Sequence, residues 1–204
     1  MKIFLAQQNY NLILTARGRQ TLQSTADEIT SSGEIIALAG NVADAAHRRR
    51  LVAAAHEFGG LNLLVNNAST LGPTPLPELS QYQTEALHYL FDVNVIAPIG
   101  LIQEALPLLQ SSGGLIVNLS SDAAVGGYPG WGGYGASKAA LDLISLTLAN
   151  ELPPPKWGWS PLTPAIYAPT CTRLPSPEKI SPTAPSQKSP SPSGAGYWGK
   201  TRFP

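Results

Sequence analysis

Four short apolar runs, each followed by a stretch of helical periodicity, constrain this chain more than any other feature. They are "NLILTA" (11–16), "EIIALAG" (34–40), "LNLLVNNAS" (61–69) and "GLIVNLSS" (114–121). Each is short and hardly alternates with polar residues, the pattern of a strand covered on both faces. Between them lie predicted helices. "GRQTLQSTADEITSSG" (18–33) sets Leu22, Ala26 and Ile29 at helical spacing, with Gly33 placed to end the helix. "DAAHRRRLVAAAHEFGG" (44–60) has Asp44 as its cap, and its "HRRR" reads as a solvated face. A long apolar helix fills 83–113, with Pro98 and Pro107 as expected bends, and "YGASKAALDLISLTLANEL" (134–152) is the last helix. Strand and helix in alternation predict an α/β fold with a doubly wound parallel sheet.

The pattern stops near Leu152. Thirteen of the 19 prolines follow that residue. Residues 1–152 carry 7 basic and 12 acidic side chains, whereas 153–204 carry 6 and 1. The expected organisation is one ordered unit, 1–152, and an irregular, disordered Pro/Ser-rich tail, 153–204. Zero net charge gives no reason to expect a nucleic-acid partner. A single cysteine, Cys171, suits a reducing compartment, and neither a signal peptide nor a membrane-spanning run is evident, so a cytoplasmic location is expected. His47, His56 and His88 have no metal-ligand spacing.

Parallel sheets bind ligands at the carboxyl ends of their strands. Arg17 follows the first run, Asn41 and Val42 the second, "NNAS" (66–69) the third and "SSDAAVGG" (120–127) the fourth. These are either a site or a scatter of loop residues. Tyr134 and Lys138 are four apart, so a helix puts them on one face. An ammonium beside a phenol favours the phenolate, which suits general acid/base work. Ser121, at a strand end, could hydrogen-bond an oxygen on which charge develops. A lone Tyr-x-x-x-Lys is common on helix surfaces; the combination, in this order and on these elements, is not.

"NVADAA" (41–46), "NNA" (66–68), Asn94 in "DVNVIAP", "IVNLSS" (116–121) and "YGASKAA" (134–140) together resemble the short-chain dehydrogenase/reductase family over about residues 2–152. The resemblance implies a Rossmann-like fold and hydride transfer between a nicotinamide cofactor and a small carbonyl or alcohol substrate. It implies Tyr134 as general acid/base, and Lys138 as the lysine that assists it and binds the nicotinamide ribose. Ser121 matches the serine that orients the carbonyl, and Asn94 the helix asparagine that holds a water in a proton relay. Without the other motifs, a polar helix residue bonded to backbone would compete well as the reading of Asn94. Asn67 and Ala68 match the turn on the adenosine side. Asn41, beside Val42, stands where the family usually has an adenine-binding aspartate. Arg17 stands where NAD users place an acid; its planar fork suits a 2′-phosphate, so NADP is expected over NAD, whereas without the resemblance a plain turn arginine weighs about evenly. Homo-oligomers are implied for an intact relative, through the helices of Asn94 and Tyr134.

The family's first strand and Gly-rich turn find no counterpart; "KIFLAQQNYNLILTAR" resembles the end of the following helix and then the second strand. The sheet is therefore expected to be incomplete, with the gap between "NLILTA" and "LNLLVNNA". The tail lacks the family's Pro-Gly turn. Reading residues 162–185 with codons shifted by two bases, and suitable synonymous codons, gives "DPGDLRTDMHQAAFPGEDISDRP", which contains that turn and a following Thr. A frameshift is the expected cause. An inactive fragment of such an enzyme is the alternative function. A Pro-rich interaction segment around "PTAP" (182–185) ranks below it.

Overall fold

The computed structural model describes residues 2–152. The tail expectations, including Cys171 and "PTAP", lie outside them. The elements run α1 (Lys2–Gln7), β1 (Leu12–Ala16), α2 (Arg19–Asp27), β2 (Ile35–Ala39), α3 (Ala45–Glu57), β3 (Leu63–Asn66), α4 (Thr84–Phe91), α5 (Ala97–Ser112), β4 (Leu115–Asn118), α6 (Ala123–Gly126) and α7 (Gly132–Glu151). All four apolar runs are strands, and all are parallel. β1 pairs with β2 from Leu12↔Ile35 to Ala16↔Ala39. β3 pairs with β4 from Leu63↔Leu115 to Asn66↔Asn118.

The two pairs are separate sheets among the described residues, with no ladder between β1 and β3. This break falls between β1 and β3, where the sequence reading places the gap. On either side of it, three of five residues in β1 and three of four in β3 are only half-buried. A two-stranded parallel pair is marginal alone, so helices hold each one. α2 covers β1 and β2, α5 and α7 pack on β4, and α3 packs against α5 to join the two halves.

Helix boundaries differ from the sequence reading where side chains compete for the backbone. α2 stops at Asp27 rather than running to Gly33. Ser31 Oγ donates to the Ala6 carbonyl and accepts from Gly33 N, local bonds that favour a turn over helix. Asp44 caps α3 as expected, accepting from Ala46 N at 2.9 Å. The "HRRR" face is not solvated throughout. His47 shares the buried stripe of Leu51, Ala54 and Ala55 and is 3% exposed, and the Arg48 side chain is 12% exposed. Only Arg49 and Arg50 face water.

The long helix of 83–113 is interrupted by a π-helical turn, Asp92–Ile96, between α4 and α5. Pro98 falls in the first turn of α5, where its missing N–H is tolerated, and Pro107 lies within α5. The π turn is marked by an Ala97 N–H bond to the Asp92 carbonyl. By length and composition, Thr84–Ser112 could cross a membrane, contrary to the expectation that no run would, but half of that apolar window is buried inside the protein. Leu90 and Ala105 are fully buried there, so this segment belongs to the core.

Candidate active site

The buried face of α7 includes Ser137, Lys138, Leu141 and Ser145, spaced by three and four. Lys138 is 3% exposed, and its Nζ donates to the Leu119 carbonyl, just past β4, at 2.8 Å. That ammonium stands 5.7 Å from the centroid of the Tyr134 ring. Burial lowers the Lys138 pKa below its ordinary value, with Asp142 one turn on pushing it back up. Trp131 meets the Tyr134 ring edge-on at 5.8 Å between centroids.

Asn94 sits in the π turn at 1% exposure. Its Oδ1 accepts from Thr70 N at 2.8 Å and Ser69 Oγ at 3.2 Å. Its Nδ2 donates to the Thr70 carbonyl at 2.9 Å and Ser137 Oγ at 3.0 Å. Two donors and two acceptor sites are the full capacity of the amide, so this side chain is saturated by protein groups. Ser137 Oγ in turn donates to the Tyr134 carbonyl at 2.7 Å. One side chain thus ties the turn after β3 to the start of α7.

Ser121 lies two residues beyond Leu119. Its Oγ donates to Asp122 Oδ1 at 3.1 Å and accepts from Ala123 N at 3.2 Å, which shapes the entry to α6. Among the described residues, no hydrogen bond joins Ser121 Oγ to Tyr134.

The other predicted residues gather at the ends of β1, β2 and β3. Arg17 is exposed, and its Nη1 donates to Tyr89 Oη at 3.3 Å. Asn41 Oδ1 accepts from Ala43 N at 3.1 Å, closing a tight turn. Val42 and Ala68 line one small slot of about 10 Å³ with Asn66, Val93, Ala97, Pro98 and Leu101. Asn67 is exposed beside it. The structure therefore joins Asn94, Tyr134 and Lys138 in one connected group, and Val42 and Ala68 in another.

Sequence reasoning missed a buried polar relay beneath the site. Asn66 Nδ2 donates to Asn118 Oδ1 at 2.8 Å, from the paired ends of β3 and β4. Asn118 Nδ2 donates to Ser145 Oγ at 2.8 Å, and Ser145 Oγ donates to the Leu141 carbonyl at 2.7 Å. The signal was present as an asparagine closing each of two apolar runs, and as a serine on the apolar face of the last helix.

Known proteins resemble this chain in sequence and in fold. The family model described as short chain dehydrogenase matches residues 3–171, past the break at Leu152. The chain is similar to the 3-oxoacyl-(acyl-carrier-protein) reductase of Staphylococcus aureus, 30% identical over 72% of this chain and 61% of that protein. It resembles the solved alcohol dehydrogenase of the archaeon Thermococcus sibiricus complexed with 5-hydroxy-NADP. That structure has a TM-score of 0.68 and 26% identity, covering 74% of this chain and 64% of that one. An NAD+-bound xylitol dehydrogenase shares the fold at a TM-score of 0.68 and 22% identity, over 73% of this chain and 58% of that one. The chain spans about half the length of several curated relatives. With the family model covering most of its length, the chain belongs to the short-chain dehydrogenase family, whose members are oxidoreductases that bind nicotinamide cofactors.

Proposed function

We propose that this site belongs to an NADP-dependent oxidoreductase that interconverts a small carbonyl compound and its alcohol. The observation that carries the reading is the buried Lys138 ammonium beside the Tyr134 ring. Tyr134 is the general acid/base that exchanges a proton with the substrate oxygen. Lys138 Nζ uses one of its three donors on Leu119, which leaves two for the nicotinamide ribose and the tyrosine oxygen. Ser121 Oγ turns from Asp122 to the substrate oxygen. Asn94 acts through its backbone. Pro98 has no N–H, so the Asn94 carbonyl loses its α-helical donor and can hold a water of the proton relay.

The cofactor, when bound, supplies or accepts the hydride. The residues present fit its adenosine end. Arg17 offers an exposed guanidinium to a 2′-phosphate, and this alone favours NADP over NAD. Asn41, Val42, Asn67 and Ala68 border the adenine, with Val42 and Ala68 on one apolar slot. Among the described residues, no glycine-rich turn stands at a helix N-terminus beside β1, so none of them is assigned to the pyrophosphate. Leu143 and Leu146 of α7 and Ile96 of the π turn are half-exposed or more, and support homo-oligomer formation through these helices. NADPH oxidation by the purified chain against a panel of aldehydes and ketones tests the reading. Turnover lost in Tyr134→Phe supports it; equal turnover in both proteins refutes the assigned role.

A further inference from the structure

We infer that Arg48 and Glu104 form a strut that fixes the Asn41–Val42 turn against α5, and that these two positioning residues thereby set affinity for the adenine end of the cofactor. The inference rests on the reading of that turn as the adenine-binding one.

Arg48 is an unexpected residue to find inside. It sits in the first turns of α3, with a side chain 12% exposed. Its Nη1 donates to the Val42 carbonyl at 2.9 Å and to the Ala43 carbonyl at 3.1 Å. Its Nε donates to Glu104 Oε1 at 3.3 Å, across 56 positions of sequence. One guanidinium therefore grips the turn after β2 with one nitrogen and α5 with another. The planar, rigid fork makes this possible; a lysine carries one nitrogen and could not reach both.

The place of the strut matters more than its existence. Val42 lines the small slot, and so do Ala97, Pro98 and Leu101 of α5. Glu104 lies one turn beyond Leu101 on that same helix. Arg48 and Glu104 thus link the Val42 turn to the helix that supplies Ala97, Pro98 and Leu101 to the slot. Gly100, between Pro98 and Leu101, makes room for the pair, since a Cβ there would lie 2.9 Å from Arg48 Nε and 3.0 Å from its Nη2. α3 against α5 is also the packing that joins the β1–β2 half to the β3–β4 half. No ladder between β1 and β3 fixes these halves among the described residues, so the strut carries positional information that a continuous sheet would otherwise supply.

The turn is also held from beneath. His47, one residue before Arg48, meets Thr15 Oγ1 at 2.8 Å through Nε2. Its ring lies so close to Gly40 that a Cβ there would stand 2.2 Å from Nδ1. Asn41 Oδ1 closes the turn internally on Ala43 N. With the backbone pinned at Gly40 and Ala43, the carbonyls of Val42 and Ala43 are the remaining points of control, and Arg48 holds both.

The test measures binding of NADPH, and of reduced nicotinamide mononucleotide, which lacks the adenosine end, to the full chain by fluorescence. Three proteins are compared: wild type, Arg48→Lys, and the double variant Arg48→Met with Glu104→Leu. The double variant leaves no unpaired buried charge, which protects folding. The strut predicts that both variants bind NADPH about tenfold more weakly, the effect of losing one charge-assisted hydrogen bond, and bind the mononucleotide as wild type does. An equal loss for both ligands, or rescue by the double variant, assigns Arg48 a merely structural role and overturns the inference. Unchanged NADPH affinity in both variants overturns it while leaving the adenosine reading intact. No saturable NADPH binding by wild type removes the reading and the inference together.

Discussion

The Lys138 ammonium lies 5.7 Å from the centre of the Tyr134 ring, one helical turn away on α7, and is itself almost fully buried. A cation in that place has little water to screen it, so its field acts on the neighbouring oxygen. Tyr134→Phe keeps the ring, the edge contact with Trp131 and the backbone bond to Ser137. The substitution is expected to slow carbonyl reduction by ~10²–10⁴-fold with an unchanged melting temperature. Steady-state rates and a thermal melt of the same preparation check both halves of this.

Burying the ammonium has a cost that pH reveals. The Lys138 pKa is lowered by desolvation, so between that lowered value and 10.5 the unfolded chain binds the extra proton. Stability contributed by this residue therefore rises with pH across that window, and below it the full cost is present. Relative to Lys138→Met, wild type is expected to gain stability toward alkaline pH, with a slope of at most ~1.4 kcal/mol per pH unit. Urea unfolding of both proteins at several alkaline pH values measures the difference.

His47 makes the opposite edge of the pH profile. Burial lowers its pKa first, Arg50 lowers it further, and Asp44 opposes both. Its Nδ1 is buried without a partner among the described residues. The neutral ring is the form that suits the fold, so its contribution is complete above about 6.5, the unfolded value. It declines as pH falls from there toward the lowered folded value. His47→Gln is expected to flatten that acid limb, read from unfolding free energies measured on either side of pH 6.

Asn94 ties the loop after β3 to α7 through its side-chain amide. Replacing it with Leu leaves the Thr70 N–H and carbonyl, both bonded to its amide, without those partners in a partly buried place. Unmade buried hydrogen bonds cost ~1–3 kcal/mol each, so Asn94→Leu is expected to lose about 3 kcal/mol of stability. Chemical denaturation reads it, and a loss below about 0.5 kcal/mol would show that the loop after β3 is held by something else.

How much of this was legible in the sequence depends on the range over which each signal acts. Leu12–Ala16 and its three counterparts announced themselves because a buried parallel strand must be apolar at nearly every position. Tyr134 and Lys138 were legible because four-residue spacing alone puts two side chains on one helix face. The gap between β1 and β3 was legible too, and most residues of both strands are only half-buried. The inward turn of Arg48 was not. Its partners are carbonyls at Val42 and Ala43 and a carboxylate 56 positions away, and no local pattern encodes that meeting. The π turn escaped for a similar reason. Asn94 is held there by bonds to Thr70 and Ser137, while the prolines nearby drew the expectation of a bend.

NADPH titration of the purified 204-residue chain, followed by quenching of tryptophan fluorescence and repeated with NADH, tests the central claim most directly. The account predicts saturable NADPH binding, weaker binding of NADH, and loss of that preference in Arg17→Ala. Absence of saturation with either nucleotide would contradict it.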